Sequence, residues 1–184
     1  MTEDLRVQRT KKAIKTAFIG LVNEKGFADV TIKEIAERAI INRQTFYNYY
    51  QDKYDLTEKL NDEYLEMLKG VIQRRVQELK DTDRNLPFLS DFYKSEDFTK
   101  ILASREAILA LMSIQYNQNS FKDRLRQLFI DTIQEQLAIE FTDLDIAVIG
   151  SFYINMISFI AKHNVKPTEQ DLAELRKLVL MVMQ

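Results

Sequence analysis

The chain has 184 residues, 46% of them hydrophobic, enough for one large or two small domains with a core. Four Gly and two Pro are too few turn residues for an all-β fold, and the absence of Cys excludes disulfides and thiolate metal sites. The net charge of −2 hides an asymmetry: residues 1–50 carry nine Lys/Arg against six Asp/Glu and the remainder 17 against 22, a basic head on an acidic body.

The N-terminus, Met1-Thr-Glu-Asp-Leu-Arg6, is polar and has no apolar signal region, and the lack of Cys fits a reducing cytoplasm. Residues 6–25 place Ile14, Ala17, Phe18, Leu21 and Val22 at helical spacing behind a start crowded with Arg6, Arg9, Lys11, Lys12 and Lys15. Gly26 stands where a helix C-cap is expected. Thr31 with Glu34 three residues later is a capping box, and Ile32, Ile35, Ala36 and Ala39 form the stripe of a short second helix. Ile40-Ile41 make the turn and Asn42 caps a third helix. In that helix Phe46 and Tyr50 face inward, and Arg43, Gln44, Tyr47 and Asn48 face outward.

A long fourth helix opens at Asp52 and runs to about Leu79, followed by the loop from Lys80 to Pro87 and a possible short helix at 88–93. Further helices are expected near 96–114, 120–139, 143–164 and 168–183. The most apolar run, Ala147–Ala161, is broken by Ser151, Asn155 and Ser158 and falls short of the roughly 20 residues needed to span a bilayer. No membrane partner is expected. The fold class is therefore all-α, a tri-helical head over residues 1–52 and a helical bundle over 53–184, about 8–9 helices in total.

Two short helices joined by a tight turn match a helix-turn-helix, which lays its second helix in the DNA major groove. Arg43, Gln44 and Asn48 have the chemistry to read base edges. Thr31, Asn42, Tyr47, Tyr49 and Lys53 are placed to hold phosphates, which fixes register rather than sequence, and the Thr45 methyl could meet thymine. A single histidine, His163, and no Cys leave no nucleophile–base pair and no metal set. No Gly-rich phosphate loop is present. The chain is expected to be neither an enzyme nor a cofactor protein.

The segment Thr31-Ile-Lys-Glu-Ile-Ala-Glu-Arg-Ala39, then Asn42-Arg-Gln-Thr-Phe-Tyr-Asn-Tyr-Tyr50 and Asp52-Lys53, resembles the DNA-binding head of the TetR family of bacterial transcription regulators. More loosely it resembles the subgroup of dihydroxyacetone-kinase activators, with Ile40 in place of the usual turn glycine. The resemblance covers about residues 6–60. It implies an all-α homodimer whose heads bind a palindromic operator in double-stranded DNA and whose bodies form the dimer and often a small-molecule pocket; by position it also implies phosphate or backbone contacts for Thr45, Tyr47, Tyr49 and Lys53. The expected protein is a repressor released by an effector; the alternative is a regulator or co-activator controlled by a protein partner through the body, with no small-molecule ligand.

In the body, Tyr64, Phe98, Met112, Tyr116, Phe129, Tyr153 and Met156 are the candidates for a pocket lining, although such stripes more often form plain core. Ile146, Gly150, Tyr153, Leu175, Val179 and Val182 are the candidates for a two-fold interface.

Overall fold

The computed structural model describes residues 4–81, 94–116, 119–138, 140, 142–164, 168, 170–171, 173–174 and 177. Among the described residues there are no strands. The helices are α1 Leu5–Lys25, α2 Ile32–Arg38, α3 Arg43–Tyr47, α4 Lys53–Asp81, α5 Glu96–Ala103, α6 Arg105–Ser113, α7 Phe121–Leu137 and α8 Asp143–His163. Residues 170–171, 173–174 and 177 are also helical. The expected loop at 80–87 lies almost wholly outside the described residues. So do the short helix at 88–93 and most of the final helix.

The chain forms two compact units. The first comprises Met1–Glu66 and Glu106–Arg124, the second Met67–Arg105 and Leu125–Gln184.

In the first unit α1 starts on Asp4, whose carboxylate accepts the Arg6 N–H at 2.9 Å. It ends at Gly26, φ 84°, whose N–H donates to Val22 O at 2.9 Å. Ile14, Ala17, Phe18, Leu21 and Val22 are all buried, as their spacing predicts. The capping box of α2 forms in full. The Thr31 N–H donates to the Glu34 carboxylate at 3.0 Å and the Glu34 N–H to the Thr31 hydroxyl at 3.3 Å. Lys25 adds an ion pair to the same carboxylate at 2.6 Å. Hydrogen bonds from Lys25 first, then from Thr31, hold the Glu34 carboxyl down at about 2.

The turn after α2 is a Schellman motif. The Ile41 N–H donates to Ala36 O at 3.0 Å and the Ile40 N–H to Glu37 O at 3.2 Å. Glycine is the usual residue at the left-handed position, but here Ile40 takes it, with φ 56°. A left-handed backbone costs a residue with a Cβ about 1–2 kcal/mol. The hydrogen bonds of the turn and the packing of α3, with Phe46 fully buried and Tyr50 nearly so, hold it there.

Lys53, the first residue of α4, closes the head. Its ammonium donates to the carbonyl oxygens of Phe27 at 2.9 Å, Ala28 at 3.0 Å and Val30 at 3.0 Å. It also lies 4.6 Å from the centre of the Phe27 ring. Tyr116 stacks on Phe27 at 5.4 Å and meets Tyr54 edge-on at 5.1 Å. Its hydroxyl donates to Glu58. Burial, followed by the Glu58 contact, raises the Tyr116 phenol well above its ordinary range. Arg124 bridges Glu58, at 3.1 Å, and Asp62. The Asn23 amide donates to Glu106 O at 2.9 Å, so α6 is tied to α1 as well.

The helix predicted over 96–114 is in fact two. Ser104, at φ −97° and ψ 3°, ends α5 by donating to Lys100 O and Ile101 O, and α6 starts at Arg105. In the second unit Phe98, Ile101, Phe129, Ile130, Ile154, Ile157 and Ile160 are buried. Arg74 grips the buried Asp97 through two nitrogens, Nε at 2.9 Å. Gly150 is buried, and a Cβ there would lie 2.6 Å from Arg126 Cγ of α7, so its small size serves packing within this unit.

Two outcomes follow for the head. Because its carboxyl is depressed from 4.5 to about 2, Glu34 stabilises the fold fully above about pH 4.5. That contribution is lost as pH falls through about 2. Glu34→Gln removes this dependence, so the melting temperatures of variant and wild type should converge between pH 6 and 2.5; parallel curves would show that the capping box carries no such linkage. Lys53→Met keeps the aliphatic stem and removes the charged donor from three carbonyls. It should cost about 1–3 kcal/mol, read as a lower urea midpoint. An unchanged midpoint would remove Lys53 from the scaffold.

Candidate DNA-binding face

The third helix is only five residues long, and its termini are shaped by side chains. Asn42, the N-cap, accepts the Thr45 N–H at 2.7 Å and the Thr45 hydroxyl at 2.9 Å. Phe46 is wholly buried and stacks edge-on against Tyr47 at 5.7 Å. That inward anchor leaves Arg43, Gln44, Tyr47 and Asn48 exposed together. Tyr47 is 50% exposed. Two positive groups stand close to the same segment: Lys11 lies 5.9 Å from the Tyr49 ring, and Lys59 donates to Tyr49 O at 3.1 Å. Arg6, Arg9 and Lys12 are exposed on α1.

The three residues expected to read bases, Arg43, Gln44 and Asn48, are thus brought onto one exposed face. The six expected to hold phosphates divide. Tyr47 is open and Tyr49 half-buried. Thr31, Asn42 and Thr45 are already engaged in caps. A cap uses the side-chain oxygen locally and fixes the position of the helix ends. Lys53 directs its ammonium into the turn between α1 and α2, where the three carbonyls meet its three N–H bonds. No periodic signal marks that role, because it depends on a turn 23 to 26 residues earlier in the chain.

The pocket candidates fall in different units: Tyr64, Met112 and Tyr116 in the first; Phe98, Phe129, Tyr153 and Met156 in the second. Phe98, Met112 and Phe129 are buried, Tyr64 and Met156 half-buried, and Tyr116 is engaged with Glu58. Of the interface candidates, Gly150 packs on Arg126. The side chains of Ile146 and Tyr153 lie outside the described set, as do Leu175, Val179 and Val182 altogether. Among the described residues there is no cluster of three or more His, Asp or Glu suited to a metal, and no helix is long and apolar enough to cross a membrane.

Residues 17–60 match the family model for bacterial regulatory proteins of the tetR family. The uncharacterized HTH-type transcriptional regulator YxbF of Bacillus subtilis (strain 168) is 35% identical over 79 residues, 42% of this chain and 18% of that protein. The HTH-type dhaKLM operon transcriptional activator DhaS of Lactococcus lactis subsp. lactis (strain IL1403) is 38% identical over 47 residues, 26% of this chain and 25% of that one. The matched stretches therefore span a quarter or less of each relative's length. These named relatives are transcription regulators rather than enzymes.

Two solved structures share the fold along nearly the whole chain. Lin0861 from Listeria innocua aligns with a TM-score of 0.54 at 18% identity, covering 100% of this chain and 96% of that one. The fatty acid degradation regulator FadR from Bacillus halodurans aligns at 0.53 and 14%, covering 97% and 94%. The helix-turn-helix braced by α1 and the family match fall on the same segment, and residues 17–60 are similar to the bacterial regulatory proteins of the tetR family.

Proposed function

We propose that the protein is a cytoplasmic transcription regulator, not an enzyme. In this reading residues 1–52 bind a palindromic operator in double-stranded DNA, and residues 53–184 form a homodimer and respond to an effector. The carrying observation is the exposed set Arg43, Gln44, Tyr47 and Asn48 on a helix fixed from behind by Phe46. Arginine pairs with guanine O6 and N7, and Gln or Asn with adenine. Tyr47 and Tyr49, with the basic start of α1, supply phosphate contacts. Thr31, Asn42, Thr45 and Lys53 act on DNA through the positions they give α2 and α3.

The sign of regulation proposed is repression relieved by a small molecule, with the apolar residues of the body as its contacts. The relative DhaS is by its name an activator, which favours a second reading in which the same head recruits rather than blocks. A reporter fused to the selected operator separates the two by the direction of change when the chain is expressed.

The homodimer has support on α8. Leu144, Val148 and Phe159 are 71%, 60% and 54% exposed. With Ser151 and Asn155, also exposed, they follow one another at steps of three and four, a single helix face. Large apolar side chains in such a row suit a self-complementary two-fold contact.

Duplexes selected from a random library by the full chain should contain inverted half-sites about one helical turn apart or more. Arg43→Ala should weaken binding by about 1–3 kcal/mol and relax preference at one base step. Equal loss on every sequence would sink the base-reading role. Val148→Asp with Phe159→Asp should convert the dimer to monomers in sedimentation while leaving the helical circular dichroism intact; a dimer that survives both changes rules this face out.

A further inference from the structure

The turn ahead of α3 contains a residue that folding alone does not favour. Ile40 is left-handed, at φ 56°, where a β-branched side chain is an outlier. Its side chain is 92% exposed, so burial within the chain does not offset the strain. Glycine would satisfy the same Schellman turn without either penalty. Two unfavourable choices at one position suggest a gain that the free chain does not display.

The surroundings indicate where that gain lies. The other exposed residues between 40 and 48 are Asn42, Arg43, Gln44, Tyr47 and Asn48, which makes Ile40 the one exposed aliphatic side chain of the face. It stands two residues before the N-cap of α3, at the end by which a recognition helix meets base edges. The apolar group on the floor of the major groove is the C5-methyl of thymine. We propose that Ile40 packs against a thymine methyl in each half-site, which makes it a specificity-determining residue for the operator. The left-handed turn holds the side chain out in advance, so no backbone rearrangement is needed on binding. This inference rests on the DNA-binding reading above.

The test begins with duplexes selected by the full-length wild type from a random library. Failure to enrich any sequence would sink the DNA reading itself, and this inference with it. On an enriched duplex, each thymine of a half-site is replaced in turn by deoxyuridine, which removes only the methyl. Wild type should lose about fourfold in affinity at one position, the worth of one buried methyl. Ile40→Gly and Ile40→Asn, both compatible with a left-handed backbone, should bind the thymine and deoxyuridine duplexes alike. Ile40→Leu should keep the preference. Thermal unfolding guards against a folding artefact: Ile40→Gly should melt higher than wild type. The proposal is overturned if wild type is indifferent to every methyl, if the preference survives in Ile40→Gly, or if Ile40→Gly melts lower.

Discussion

The ammonium of Lys53 meets the carbonyl oxygens of Phe27, Ala28 and Val30, and the placement of α3 depends on that contact. A helix of five residues has too few internal hydrogen bonds to stand alone in water. Its orientation has to be imposed from outside. Lys53 connects the first turn of α4 to the loop between α1 and α2, so the segment from 31 to 52 is closed at both ends. Inside that closure Phe46 and Tyr50 are buried with Ile35 and Ala36. Of the three carbonyls, that of Phe27 also accepts the Val30 N–H, at 3.3 Å. Hydrogen bonds to a charged donor satisfy them better than a neutral side chain would.

The same economy governs the polar side chains of the head. Thr31, Asn42 and Thr45 have the chemistry of phosphate ligands, and the fold uses their oxygens to terminate helices instead. Arg43, Gln44 and Asn48, free of such duties in the caps, are left pointing outward. Ile40 belongs with them by exposure though not by polarity. The Schellman hydrogen bonds on either side of it make the left-handed conformation a property of the turn, whichever residue stands there.

Helices α1, α4, α7 and α8 were legible in the sequence to within about two residues, because each buries a face whose period is 3.6. The capping box of α2 and the Asn42 cap were legible for a different reason: they are local, with donor and acceptor three residues apart. The break at Ser104 was not. Apolar residues run through it at helical spacing, from Phe98 and Ile101 to Ile108 and Met112, and all four are buried. Periodicity reports which side of a helix is buried, but it does not report in which unit. Lys53 and Tyr116 escaped for the same physical reason. A lysine beside a turn reads as a surface cation and a tyrosine between helices as a pocket wall, until tertiary contacts 25 or 58 residues away give them partners. The outward face of α3 could be read in advance because exposure is the complement of a local burial pattern.

Residues 106–124 share a compact unit with the head, and this narrows how a signal from the body would reach α3. The chain passes between the two units three times, after Glu66, Arg105 and Arg124. The first and last crossings lie well inside α4 and α7, while the middle one comes after the first residue of α6, next to the break at Ser104. A helix interior transmits displacement along its axis; a helix boundary can also absorb rotation with little cost. Whatever shifts 106–124 is felt at Asn23 through Glu106, and at Glu58 through Tyr116 and Arg124. Tyr116 also touches Phe27 and Tyr54, which flank the Lys53 ammonium. The contact that fixes α3 is thus one ring away from the segment that leads into the body. Under the proposed function, an effector that favours one arrangement of that segment changes the energy of the DNA-competent head. Linkage then requires operator DNA to change effector affinity by the same factor.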